Sequence, residues 1–224
     1  ILSFKTQIFI TINNEDYKYA KLNLINKNSL CYKIKGVGLE LKKRVLKNKK
    51  KIRKILVIAA YKKEKGYLDI LKVAEMLKNY DIKIICYGSG DHHKFNLMKS
   101  KKKLVNIYFN NFDKNLSNKI QNFDLLLHLS KREGLPVSVM QSLLNGLPVI
   151  CHNIRGNNDL VVDKNNGYFV KTYKEVVNKI HYLNLENKIF NEMRNNASKS
   201  IDKDFSRKNI NLSLFKIIRR FQKS

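Results

Sequence analysis

The sequence predicts an α/β protein built on a doubly wound, parallel, Rossmann-like sheet, and three observations predict it. Residues 55–59, Ile-Leu-Val-Ile-Ala, form a continuous apolar run, the mark of a strand covered on both faces. Residues 67–77 carry apolar side chains at 67, 68, 70, 71, 73, 74 and 77, which is helical spacing. Strand-like and helix-like segments then keep alternating towards the C-terminus, the rhythm of βαβ units.

In chain order, residues 7–12 are β-rich and read as a strand. Asn14-Glu15-Asp16 offers a cap and an acidic first turn for a helix over 15–24. Residues 30–34 form a second short strand, ended by Gly36-Val37-Gly38. Residues 39–54 are strongly basic and lack a pattern, so a linker and the domain boundary are expected there. After strand 55–59 and helix 67–77 come a strand over 82–87, closed by Gly88-Ser89-Gly90, and strands over 105–109 and 123–129. A helix is expected at 116–121 between the last two. Pro136 suits the first position of a helix running to 145, with Gly146 as its stop. A short strand over 149–151 follows Pro148. Thr172 and Glu175 have capping-box spacing, and further helices are expected over 186–200 and 206–221.

Composition narrows the function classes. The chain has 224 residues, 43% hydrophobic and 28% charged, as expected of a folded core rather than a disordered chain. Its longest apolar run, residues 55–61, falls far short of the ~20 residues that span a bilayer. No charged-then-apolar leader opens it. Ile1 stands where an initiator Met would, so the natural start is expected upstream or lost. Cys86 and Cys151 lie in apolar runs, the setting of buried thiols in a reducing cytosol, and Cys31, Cys86 and Cys151 lack metal-ligand spacing. The net charge of +27 arises mainly from Lys, with eight Arg among 45 basic residues. Base readers concentrate Arg and aromatics on one element, and no such cluster appears. Attraction to an anionic membrane surface fits scattered Lys better.

Ligands of open α/β sheets bind at the carboxyl ends of the strands, and two loops fall there. Gly88-Ser89-Gly90 lets backbone approach a ligand, although a glycine pair after a strand is also an ordinary tight turn. Residues 130–136, Ser-Lys-Arg-Glu-Gly-Leu-Pro, run from a strand end into a helix N-terminus, where free N–H groups favour an anion such as diphosphate. Glu133 would repel that anion, so its expected use is to accept hydrogen bonds from hydroxyls such as a sugar's. The bland alternative is that Glu133 caps the neighbouring helix.

The segment from Ser130 through Glu133-Gly134-Leu135-Pro136 to Gly146-Leu147-Pro148-Val149-Ile150-Cys151 resembles the signature of retaining GT-B glycosyltransferases of the group 1 (family 4) class. The likeness continues through Asn153 to Leu160 and Asn166-Gly167-Tyr168. In that form it resembles the branch acting in capsular or exopolysaccharide synthesis. Lys65-Gly66, the Gly88-Ser89-Gly90 loop and Asn106 to Phe109 also fit.

The resemblance implies transfer of a hexosyl unit from a nucleotide sugar, of UDP type, to a glycan or lipid-linked acceptor. Glu133 would hold donor-sugar hydroxyls and Lys65 would stabilise the departing diphosphate. Gly134 and Leu135, leading into Pro136, would present backbone N–H groups, and Gly88 and Gly90 would make room for the nucleotide. Gln141 would face the ribose. Neither metal nor cofactor is implied, the nucleotide sugar being a substrate. A cytoplasmic place, peripheral on the inner face of the cytoplasmic membrane, is expected.

Four departures from the family pattern stand out. Gln141 replaces a second Glu, keeping an acceptor oxygen but losing the charge that roughly doubles such a bond. Ala60 stands where many members carry Arg, and Asn111 where Gly is usual. Finally, the resemblance implies one GT-B domain where the family has two. Residues 1–35 resemble the last elements of an N-terminal acceptor domain, 36–54 a linker, 55–205 the donor domain, and 206–224 the helix that crosses back. A separate N-terminal half is therefore an expected partner. The alternatives are a non-catalytic nucleotide-sugar-binding module and, last, a basic nucleic-acid binder.

Overall fold

The computed structural model describes residues 6–24, 29–41 and 46–222, so residues 1–5 and 25–28 of the 1–35 segment, 42–45 of the 36–54 segment and 223–224 of the last segment lie outside the described residues. The first elements are β1 (Ile8–Thr11), α1 (Asn14–Asn23) and β2 (Leu30–Lys33). β1 and β2 pair in parallel, Ile8 opposite Leu30, as a separate two-stranded sheet. The cap of α1 is Asn13 rather than Asn14: the Asn13 carboxamide accepts from the Asp16 N–H at 2.8 Å, leaving Asn14 as the first helical residue.

The main body follows as β3 (Lys54–Ile58), α2 (Tyr67–Met76), β4 (Lys83–Gly88), α3 (His93–Lys101), β5 (Ile107–Asn111) and β6 (Leu125–His128). It continues with α4 (Val137–Leu144), β7 (Val149–Cys151), β8 (Gly167–Phe169), α5 (Tyr173–Leu185), α6 (Asn187–Ser200) and α7 (Arg207–Phe221). Six strands form one parallel sheet in the order β5-β4-β3-β6-β7-β8. Chain order runs outward from β3 to β5, then restarts at β6 on the other side, so the topological switch point lies between β3 and β6.

Side chains of these strands alternate between two cores, as the pleat requires. Ile55, Val57, Leu125 and Leu127 join the layer of α2, α3 and α5, while Leu56, Leu126, Val149 and Cys151 meet α4. The continuous apolar runs are thus explained by burial on both faces. Cys86 and Cys151 are free thiols in these layers, and burial pushes both well above the ordinary thiol range.

Ahead of β3, the described part of the basic 36–54 segment has no helix and only an isolated bridge, yet it is firmly docked. Leu39 bridges to Ser206, and the Ile52 N–H donates to Asn184 at 2.6 Å. The buried Asp124 carboxylate accepts from the Arg53 and Lys54 N–H groups, both at 2.8 Å, and from the Lys49 ammonium. Polar groups rather than apolar periodicity hold this stretch, which is why its pattern is silent.

Several expectations need correction. The helix at 116–121 is two 3-10 turns, Leu116–Asn118 and Ile120–Asn122. Pro136 is the cap of α4 rather than its first helical residue. The strand expected over 105–109 lies two residues later, with Val105 73% exposed ahead of it. α3 and β8 were not anticipated. α3 buries Phe95 alone and has no side-chain cap, and β8 is three residues long.

Leu127 is fully buried between sheet and helices, whereas Leu97 on α3 is half exposed. Leu127→Ala is expected to cost about 2–5 kcal/mol in urea unfolding, and Leu97→Ala within about 0.5 kcal/mol of none. Equal costs at the two positions would contradict this assignment of faces.

Candidate functional site

The loop after β3 passes Ala59, Ala60 and Tyr61 into one 3-10 turn, Lys63–Lys65, closed by Gly66 at φ 80°. The Tyr67 hydroxyl donates to the Ala59 carbonyl at 2.6 Å and the Tyr61 hydroxyl donates to the Asn110 carbonyl, pinning the loop to the sheet. Gly66 is required twice over: its φ is left-handed, and a Cβ there would lie 2.3 Å from the Leu129 carbonyl oxygen. The loop after β6 lies directly against it, with the Lys131 N–H donating to the Glu64 carbonyl at 2.9 Å.

This contact brings together two side chains that stand 68 residues apart. The Lys65 ammonium donates to Glu133 Oε1 at 2.7 Å, with both side chains largely buried. His128, the last residue of β6, points at the same oxygen, its Nε2 3.4 Å away. Burial acts to raise the Glu133 carboxyl, but the polar groups of His128, Lys65 and Ser130 outweigh it and hold it down at about 2, from an ordinary 4.5. Glu133 therefore does not cap α4. Its neighbours are a lysine and a histidine, and that N-terminus has no side-chain cap.

The backbone of the 130–136 loop is fixed from the far side by Arg155, whose Nε donates to the Glu133 carbonyl at 3.0 Å and whose guanidinium pairs with Asp16 at 2.8 Å. Asn13 donates to the Gly134 carbonyl at 3.1 Å, and the Asn14 N–H donates to Asp159 at 2.9 Å. The β1–α1–β2 unit thus grips the loop that carries Glu133. Gly156 is needed because a Cβ there would lie 2.1 Å from the Gly134 oxygen.

A cleft of about 240 Å³ opens beside these loops. Ala59 and Ala60 line it after β3, Tyr87, Gly88 and Ser89 after β4, Phe112 to Lys114 after β5, and Gln141 from α4. Of the expected site residues, Gly88 and Gln141 are in its wall, while Lys65, farther along the β3 loop, and Glu133, Gly134 and Pro136, on the loop after β6, are outside it. Gly88 has a structural reason to be glycine, since a Cβ would lie 2.0 Å from the Ala59 oxygen, whereas at Gly90, with φ 94°, a Cβ would meet nothing nearer than Tyr61 at 3.9 Å. The Leu135 side chain is buried in the core against Gly36. Asn111 is exposed at the end of β5.

Residues 40–201 match the family model of glycosyl transferases group 1. The chain belongs to that family. It is 27% identical to EpsD of Bacillus subtilis, a protein named as a glycosyltransferase, over 187 residues, 76% of this chain and 49% of that one. A 41.2 kDa protein of the Klebsiella pneumoniae cps region is 29% identical over 182 residues, with the same coverage. The chain spans about half the length of these relatives. Among solved structures, the pneumococcal O-GlcNAc transferase GtfA, in complex with UDP and GlcNAc, superposes with a TM-score of 0.85 at 19% identity, over all of this chain and 47% of that one. The six-stranded parallel sheet is accordingly the doubly wound sheet expected, one Rossmann-like half of a GT-B fold.

The residue that sequence reasoning missed is His128. It sits in the run Leu125-Leu126-Leu127-His128-Leu129, and its one signal is being the polar residue that interrupts that run at the strand's carboxyl end.

The low Glu133 pKa has a direction that stability measurements can read. A carboxyl depressed on folding contributes fully above about 4.5 and loses that contribution as pH falls towards 2. Denaturant midpoints of the unsubstituted chain should fall across that window more steeply than those of Glu133→Gln. Parallel slopes would mean that Glu133 is not held as an ion pair.

Proposed function

We propose that this chain is the donor-binding half of a retaining, metal-independent glycosyltransferase. It would move a hexosyl unit from a nucleotide sugar, of UDP type, to a polysaccharide or lipid-linked acceptor. The observation that carries the reading is the meeting of Lys65 and Glu133 at the switch point between β3 and β6, where open α/β sheets bind ligands.

Each part of a sugar nucleotide then has a place. The uncapped N-terminus of α4, at Pro136, offers N–H groups to the diphosphate, with Gly134 and Leu135 leading into it. Lys65 turns to the diphosphate as the bond from the anomeric carbon breaks and its electron pair leaves with UDP. Glu133, fully ionised at neutral pH, accepts from the sugar hydroxyls. The cleft lined by Gly88 and Gln141, with Gly90 in the same loop, takes the nucleoside. Lys65 and Glu133 need no metal for these roles, which rest on position and charge.

A second reading, nucleotide-sugar binding without transfer, is favoured by Gln141 and Ala60, both in the cleft wall without charge. The half-length match to relatives supports a second, acceptor-side half, carried by a longer product or a separate chain. The net charge of +27 supports attraction to an anionic membrane surface, which fits a cytoplasmic protein held peripherally at the inner face. Among the described residues, no helix is long and apolar enough to cross a membrane.

Titration calorimetry with UDP and a panel of UDP-sugars tests the site. Lys65→Ala should weaken both ligands, by tenfold or more, because a charge-assisted hydrogen bond contributes about 1.5–3 kcal/mol. Glu133→Ala should remove the additional affinity for the sugar nucleotide over UDP. Unchanged sugar-nucleotide binding in Glu133→Ala would sink the role given to Glu133.

Gln141 makes a separate prediction in the direction of gain. Gln141→Glu restores a charged acceptor in the cleft wall and should tighten UDP binding by about tenfold, a step of about 1.4 kcal/mol. No change in UDP affinity would remove Gln141 from the nucleotide's surroundings.

A further inference from the structure

His128 is not used by the assignments above. Its side chain is 2% exposed, and Nε2 has no hydrogen-bond partner among the described residues. A buried polar nitrogen left unpaired is costly, on the order of 1–3 kcal/mol, so its place at the carboxyl end of β6 needs a reason. Nε2 lies 3.4 Å from Glu133 Oε1, the oxygen that already accepts from Lys65 at 2.7 Å. One carboxylate oxygen therefore faces two donors, and in this state the lysine alone completes a hydrogen bond to it.

Lys65 cannot stay equally close to Glu133 once a diphosphate, with its greater charge, enters beside it. When the ammonium turns away, Glu133 Oε1 is left largely buried, with the imidazole as the neighbouring donor. Hydrogen bonds of this kind are often long in an empty site and tighten by a few tenths of an ångström when it fills.

We propose that His128 is the positioning residue for Glu133: on donor entry its Nε2–H replaces Lys65 at Oε1 and keeps the carboxylate aimed at the donor sugar. The inference rests on the donor-site reading above. It makes Lys65 and His128 alternate partners of one oxygen, the first in the empty site and the second in the filled one. The side-chain choice follows, because the neighbouring positions of β6 carry Leu and pack into the two cores.

The test uses the full chain, with UDP, UDP-glucose and UDP-N-acetylglucosamine as probes, and the variants His128→Leu and His128→Gln. Leu fills the buried space without a donor, while Gln places an amide N–H near the position of Nε2. The expected result is that both variants bind UDP within about twofold of the unsubstituted chain. His128→Leu loses about tenfold of the preference for a UDP-sugar over UDP, and His128→Gln keeps most of it. Retention of the full preference by His128→Leu overturns the proposal. So does equal loss in both variants, or a matched fall in UDP affinity and unfolding midpoint, since each marks a role in holding the strand. Binding of UDP by the unsubstituted chain with no preference for either sugar removes the role of Glu133 and overturns the proposal, leaving the nucleotide cleft standing. No binding of UDP at all overturns the donor-site reading and this inference with it.

Discussion

The close approach of Gly66 to the Leu129 carbonyl is the contact on which the rest of the site depends. The strand order reverses between β3 and β6, so the loops that leave their carboxyl ends diverge from a shared crevice. They could point apart, and what holds them together is a backbone-to-backbone contact with no room for a Cβ at position 66. The Lys131 N–H to Glu64 hydrogen bond closes the same junction from the other side. Lys65 and Glu133 are each one residue or two from these fixed points, so their meeting is imposed by main-chain geometry. Side-chain attraction then refines a distance that the fold has already made short.

How far this was legible in the sequence differs from element to element, for physical reasons. β3 and β7 could be read because burial on both faces leaves a continuous apolar run, and α2 because burial of one face leaves a periodic one. The start of α5 could be read because Thr172 and Glu175 act locally, the Thr172 hydroxyl accepting from the Glu175 N–H at 3.2 Å. α3 left no such record, since it fully buries one side chain, rests Met98 partly against the core and carries three Lys among its remaining residues. At 116–122 the apolar spacing of Leu116 and Ile120 mimics a helix, but Asn115, Asn118 and Asn122 interrupt it with residues that favour turns. Within the site, Glu133 and Lys65 were found through a motif, but their pairing was not, because it depends on packing between loops 68 residues apart. His128 escaped for a different reason: a single histidine in a leucine run is read as a core residue until its nitrogen is found facing a carboxylate.

The β1–α1–β2 unit contributes more than its small size indicates. Asn13, Asn14 and Asp16 each bond a different part of the neighbouring loops, at Gly134, Asp159 and Arg155. Arg155 links Asp16 to the Glu133 carbonyl through one guanidinium, a planar fork that a lysine could not reproduce. Residues ahead of the basic 36–54 segment therefore set the backbone of the 130–136 loop. Whatever is joined to this unit would reach Glu133 through hydrogen bonds to its loop rather than through a flexible linker.

The pairing of Lys65 with Glu133 also bears on how such a site would distinguish donor from product. Separating a largely buried ion pair is expensive when one partner is left uncompensated. UDP would satisfy Lys65 but bring no hydroxyl donor to the carboxylate, which keeps its charge, its pKa held at about 2, and has the His128 imidazole as a remaining neighbour. A whole sugar nucleotide replaces both partners together, phosphate oxygens for the lysine and hydroxyl donors for the glutamate. On this reading the empty site favours the intact donor over UDP by the free energy of the second replacement. After transfer the sugar hydroxyls leave with the acceptor, the carboxylate draws Lys65 back, and the diphosphate loses its counter-charge. The same ion pair that stabilises the empty loops would then weaken the hold on product.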